Sequence, residues 1–226
     1  MKSRLLFLLA LLAFLLAGIS YASPTPLPTP KQVIGSLANN FKGLRDYTCT
    51  AEAHYRKGRE TEDKVYLIYF KRPNLVRAEV ISGDNEGGVA VLNKEGKVQA
   101  HSGGFLSWLI LNLDTDNPLV TTIRGNRMDE SSFVYMVEKM KEGLPLKGEG
   151  EVHTAGYKVI NGVKTVALES NYTQRIDGIT KEIAYVVPGK WMIKKILEYE
   201  GSVEVINVTY SDVKVNSGLS DKLFTM

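Results

Sequence analysis

The sequence predicts an α+β fold: a large antiparallel sheet that carries its helices on one face. Three observations predict it. About ten short segments rich in Val, Ile, Thr and Tyr are separated by Gly, Asn, Asp and Lys, the pattern of strands and tight turns. Their connections are short, which makes sequential strands antiparallel neighbours. Helical patterns do not alternate regularly with strands, which separates this layout from a parallel α/β fold. A sheet of so many strands curls. Its concave side must then be filled by side chains, helices or a ligand.

The N-terminus precedes the fold. Lys2 and Arg4, the apolar run Leu5–Ala17 and the small residues around Ser20-Tyr21-Ala22 have the three-part layout of a secretory signal. The apolar run is shorter than the roughly 20 residues a membrane span needs, so residues 1–22 are expected to be cleaved. No cysteine lies near the cut to carry a lipid, and the mature chain is expected to be soluble in an extracytoplasmic space. Residues 23–30 hold four prolines, an extended spacer by composition. Residues 31–226 are expected to form one domain.

Thr29, Pro30 and Gln32 make a capping-box start for a helix, and Val33, Leu37, Phe41 and Leu44 form its apolar stripe. Strands are expected at 47–57, 63–71, 75–82, 88–93 and 96–101. Val65–Phe70 is apolar at both parities, which predicts cover on both faces. The dense apolar run Phe105–Leu113 is read as a short helix, and Asp114–Pro118 as a loop. A further helix is expected from Ser131 to Glu142, capped by Asp129 or Ser131 and ended by Gly143; Phe133, Met136, Val137 and Met140 lie on one face. Strands resume at 149–160, 163–170, 180–187, 190–199 and 203–213, with turns at Pro188-Gly189 and Glu200-Gly201.

The formal net charge is +3, and two of those charges sit in the leader. That balance argues against a nucleic-acid surface, which needs clustered Lys and Arg. A single cysteine, Cys49, excludes an intramolecular disulfide framework. His54, His101 and His153 lack zinc-ligand spacing. No nucleophile elbow or phosphate-cradling glycine loop occurs. The sequence therefore gives no support for an enzyme, and no cofactor or metal is expected.

Two motifs carry a resemblance. Lys71-Arg72-Pro73-Asn74-Leu75 closes a strand, and Asn216-Ser-Gly-Leu-Ser-Asp-Lys-Leu-Phe224 closes the chain. With the order of elements between them, they make the chain similar to the periplasmic lipoprotein carriers, the LolA-like and LolB-like superfamily, over about 31–225. Residues 46–49 through 101–104 also look like an uncharacterised lipoprotein-sorting branch of it. Arg77-Ala78-Glu79 departs from the family, which commonly has an aromatic there.

The resemblance implies an open half-barrel whose helices cover an apolar, acyl-binding concave face. It implies that Arg72 stands at the cavity mouth and holds a lid closed through backbone carbonyls. By parity Tyr66, Ile68 and Phe70 share a face with Arg72, and that face is expected to be the concave one. Phe105, Trp108, Leu109, Met136 and Met140 are expected in the lid or its underside. The implied function is a periplasmic, monomeric, non-enzymatic carrier of an acylated lipoprotein or lipid, with membrane transport proteins as possible partners. The alternative is a lipid-sensing or protein-interaction module of the same fold.

Overall fold

The computed structural model describes residues 26–142, 150–176 and 178–226. The expected signal segment, the first part of the expected spacer and the expected helix stop at Gly143 lie outside them. Helix α1, Pro30–Lys42, starts as its sequence dictates. The Thr29 hydroxyl accepts the Gln32 N–H at 3.3 Å, and the Gln32 side chain accepts the Thr29 N–H at 2.8 Å. Its stripe of Val33, Ile34, Leu37 and Phe41 is buried.

Five strands follow: β1 (Asp46–Lys57), β2 (Glu60–Lys71), β3 (Leu75–Gly83), β4 (Val89–Leu92) and β5 (Val98–His101). The expected helix at 105–113 is not there. A single 3-10 turn, Gly104–Leu106, leads into β6, Leu111–Leu113, which pairs with Val98–Ala100. The run is apolar on every side rather than striped, so it offers no helical face to bury, and pairing satisfies the backbone at the edge of β5. Helix α2, Phe133–Glu142, begins after Ser132, whose hydroxyl accepts the Tyr135 N–H at 3.1 Å. The cap is thus one residue beyond Ser131, and Ser131 instead donates to the Met128 carbonyl at 2.7 Å. Strands β7 (Gly150–Ile160), β8 (Val163–Ile176), β9 (Ile179–Val187), β10 (Met192–Glu200) and β11 (Val203–Val215) complete the sheet.

All eleven strands belong to one antiparallel sheet, ordered β6-β5-β4-β3-β2-β1-β11-β10-β9-β8-β7. The first and last strands meet at its centre, with Tyr47 opposite Val215 and Tyr55 opposite Ile206. The sheet is curved and unclosed, an open half-barrel of the α+β class. Both helices pack into the main core on the concave side.

The convex side has its own cover near β2–β4. A terminal 3-10 turn, Asp221–Phe224, buries Phe224 against Leu75 and Val91, with Tyr69 packed alongside. Tyr69 thus faces the outer cluster while Ile68 and Phe70 face the inner core, which accounts for apolar residues at both parities of β2.

Candidate functional site

The concave face is packed solid at one end and hollow further along. At the packed end Tyr47 of β1 stacks on Phe70 of β2 (5.0 Å between centroids) and on Phe133 of α2 (4.9 Å). Phe133 also meets Tyr210 edge-on at 4.7 Å. The Phe133 N–H, one of the orphan donors at the start of α2, donates to the Tyr47 hydroxyl at 3.3 Å. Burial pushes the Tyr47 phenol well above its ordinary value. It also pushes the neighbouring Cys49 thiol up to about 12.

Two residues along β1 from Cys49 the side chains shrink. Ala51 and Ala53 face inward, and Ala78, Ala90 and Ala100 stand opposite one another across β3, β4 and β5. Small side chains on successive strands leave room that the helices do not fill. The result is a cavity of about 860 Å³, within the range of roughly 300–1,000 Å³ typical of ligand pockets. Helix α2 roofs it with Tyr135, Met136 and Met140. The segment 119–127 roofs the rest and is bolted to the sheet: the Ile123 N–H donates to Glu62 at 2.9 Å, and Arg124 reaches the Arg56 carbonyl at 2.7 Å and Glu200 at 2.5 Å.

Of the residues singled out from the sequence, Tyr66, Ile68, Leu109, Met136 and Met140 line this cavity. Phe70 does not: it is fully buried in the aromatic end. Phe105 and Trp108 stand outside, 91 % and 71 % exposed, on the turn whose Leu106 and Leu109 form part of the lining.

Arg72 is placed away from the cavity lining, just beyond the end of β2. Its Nε donates to the Leu44 carbonyl at 2.7 Å and its Nη2 to the Phe41 carbonyl at 3.1 Å. It therefore holds the Phe41 carbonyl in the last turn of α1 and the Leu44 carbonyl just beyond the helix, where a cation also complements the helix dipole. Lys71 points to the other side. Its Nζ donates to the Leu219 carbonyl and to Asp221, both at 2.6 Å. That hydrogen bond, with Lys94 nearby, holds the Asp221 carboxyl below its usual range. Adjacent cations thus fasten the first helix and the last turn to the same strand end.

Sequence reasoning missed the alanines of the floor and the roof segment 119–127. The alanines carried a signal, since small residues recur at inward parity on four strands. The roof carried none, because its anchors lie far off in sequence. The rim has one steric requirement of its own. A Cβ on Gly103 would come within 1.8 Å of the Glu86 carbonyl oxygen, so only glycine lets the β3–β4 turn lie against the start of the exposed apolar turn. Among the described residues, no three His, Cys, Asp or Glu side chains are close enough to hold a metal ion, and no helix is long and apolar enough to cross a membrane.

No family model and no curated protein matches the sequence. Solved structures do. An uncharacterized conserved protein from Thermus thermophilus is similar at a TM-score of 0.54 and 10 % identity, over 87 % of this chain and 93 % of that one. The Mycobacterium tuberculosis lipoprotein LppX is similar at 0.51 and 12 %, over 84 % and 97 %. A LolA superfamily protein from Nitrosomonas europaea is similar more loosely, at 0.44 and 12 %, over 88 % and 98 %. What the chain shares with LppX and the Thermus protein, end to end, is a fold.

Proposed function

We propose that the protein is a non-enzymatic, periplasmic carrier that takes acyl chains of a lipid or lipoprotein into the cavity and moves them between membranes. The observation that supports this reading most is the cavity itself, about 860 Å³ floored by alanines and roofed by methionines. Water gains little from such walls, whereas each methylene buried there contributes about 0.8 kcal/mol. Ten methylenes would contribute roughly 8 kcal/mol, enough to offset much of the freedom lost on association.

In this reading Tyr66, Ile68, Leu109, Met136 and Met140 contact the chain. Methionine suits a wall that must fit more than one chain shape, because its unbranched thioether re-packs easily. Phe105 and Trp108 stand where a chain leaves the aqueous face, and exposed aromatics beside an apolar opening suit the boundary between lipid and water. Arg72 acts indirectly by fixing α1 over the packed end. The Lys71–Leu75 motif that resembles the lipoprotein carriers points the same way. The organisation it needs is a cleaved leader, a spacer and one binding domain over 31–226.

The test is native mass spectrometry of the protein purified gently from the envelope of its own cells. Added mass matching acyl lipid or lipoprotein is the expected result. A stoichiometric protein partner with no lipid would replace the carrier with the interaction-module reading.

A further inference from the structure

The charged groups around the hollow are already matched within the protein. Glu62 takes the Lys64 ammonium and the Ile123 N–H. Arg124 binds Glu200 and the Arg56 carbonyl. Glu182 accepts from the Tyr172 hydroxyl at 3.2 Å, and Glu198 has a partner too. Three phenols differ. Tyr55, Tyr66 and Tyr210 also line the cavity, yet among the described residues none of their hydroxyls makes a hydrogen bond. The buried Tyr47 and Tyr172 show the contrast, since each hydroxyl has a protein partner. Every side-chain oxygen sealed from solvent among the described residues is paired. The three unpaired hydroxyls therefore open onto the void. Tyr210 is only 6 % exposed, so the hollow is the one place where its hydroxyl can find a partner.

The strands hold these phenols around one stretch of the floor. Tyr66 of β2 and Tyr210 of β11 stand on either side of Ala51 in one cross-strand row. Neighbouring strands lie about 4.8 Å apart, so the two tyrosines start about 10 Å from each other with only a methyl group between them. Tyr55 stands further along β1, on the same inward face beyond Ala53. Burial raises the pKa of Tyr66 and Tyr210 most, and Tyr55 is near enough to raise both further. All three phenols thus stay protonated at neutral pH, and each presents an O–H donor. The walls beside them are apolar, with Ile68, Val80 and Val208 nearby. A ligand that displaces water from these donors without replacing its hydrogen bonds leaves them unsatisfied, which is costly in such surroundings.

We infer that the hollow encloses the ester linkage of its ligand, and that Tyr55, Tyr66 and Tyr210 donate to the ester carbonyl oxygens of an acyl lipid. The inference rests on the acyl-carrier reading and adds that the site reads the linkage as well as the chain. A carbonyl is a neutral acceptor with two lone pairs, so it meets these donors without bringing a charge into the cavity. Two esters on neighbouring carbons present two such acceptors to three donors. A plain hydrocarbon or an ether-linked chain fills the same volume but offers the phenols no carbonyl. A site built to hydrogen-bond one group of its ligand rejects the analogue that lacks it more sharply than an apolar wall counts methylenes.

The test uses lipid-free protein and vesicles of equal parts dioleoylphosphatidylcholine and its dioleyl ether analogue, which share headgroup and chain length. After separation from the vesicles, bound lipid is read by native mass spectrometry. The expected result is the ester lipid in about tenfold excess, roughly what one well-made hydrogen bond supplies. Tyr55→Phe, Tyr66→Phe and Tyr210→Phe keep the rings and remove only the hydroxyls. Each should lower that ratio, and the three together should bring it to about one. Tyr69→Phe, in the convex cluster, should leave it unchanged. The wild-type ratio decides even where a variant fails to fold: ester and ether bound in vesicle proportions, or ether in excess, overturns the linkage site and leaves the acyl reading standing. An ester preference that survives the triple substitution, or falls as far in Tyr69→Phe, overturns the assignment to these phenols. No bound lipid of either kind overturns both readings.

Discussion

Strands β1 and β2 run the length of the concave face, and along that length they build two different interiors. Where Tyr47 stands opposite Phe70, rings stack and nothing is left empty. Where Ala51 stands opposite Tyr66 and Ala53 opposite Lys64, the same backbone pairing encloses a void. Curvature and hydrogen bonding continue unbroken through both regions. What differs is side-chain volume at the inward parity and what each helix brings above it: Phe133 over the packed end, Met136 and Met140 over the hollow. A core and a binding site are therefore alternative fillings of one scaffold, and each should respond to mutation by its own rule.

The largest effect is expected at the packed end. Phe133 touches Tyr47, Tyr210 and Phe41. Phe133→Ala should cost about 3–5 kcal/mol, since the removed ring leaves a gap its neighbours cannot close. Urea unfolding measures this, and a loss below about 1 kcal/mol would show that the packed end is not packed.

Alkaline titration separates the regions next. Burial holds the Cys49 thiol at about 12 against an ordinary 9.0. A folded value above the unfolded one means that its contribution is complete below pH 9.0 and is lost as pH rises towards 12. At roughly 1.4 kcal/mol per unit, that amounts to a few kcal/mol. The phenols of Tyr47, Tyr55 and Tyr66 are also raised, chiefly by burial. Tyr47 is sealed among rings, whereas Tyr55 and Tyr66 wall the hollow. In lipid-free protein, Tyr55 and Tyr66 should ionise before the helical circular dichroism collapses, and Tyr47 only with it. Ultraviolet difference titration of Tyr→Phe variants reads the order. One coincident transition for all three would erase the distinction.

The two regions were also unequally legible in the sequence. Period-two alternation and turn residues placed most strands to within a residue or two, and the capping box placed the start of α1 at the right residue. Those signals are local, because backbone geometry sets them. Parity likewise put Tyr66, Ile68 and Phe70 on one face, but it could not say where along that face filling stops. Phe70 therefore read as cavity although it belongs to the aromatic cluster. The run Phe105–Leu113 read as helix because dense apolarity does not distinguish a helix from an edge strand. The roof over the hollow was invisible, since Ile123 meets Glu62 and Arg124 meets Glu200 only once the sheet has curved.

Arg72 sharpens the boundary between the two interiors. Arg72→Leu removes one bond to the last turn of α1 and one to the Leu44 carbonyl just beyond it, and leaves those oxygens half-buried without the guanidinium. The expected cost is about 1–3 kcal/mol. Because α1 covers the packed end, the loss should appear in thermal unfolding, with lipid binding at the hollow changed less than twofold. A drop in lipid retention with unchanged melting would instead make Arg72 a latch of the cavity.

The smallest stability effect, and the sharpest contrast, comes from adding volume. Ala51→Leu adds three carbons at a buried position on the cavity wall, where they can extend into the hollow, so it should cost less than the same kind of enlargement in packed core. Leu37→Trp on α1, made where neighbours already touch, should cost about 1–3 kcal/mol by overpacking. Ligand capacity should move the other way. Ala51→Leu narrows the floor midway along the cavity, so bound acyl lipid should fall several-fold, while Leu37→Trp leaves the hollow alone and any folded protein binds as before. Parallel thermal melts and lipid mass measurements on the two variants decide it. If Ala51→Leu destabilises as much as Leu37→Trp, the space beside Ala51 is already filled in solution and the hollow is not available to a ligand.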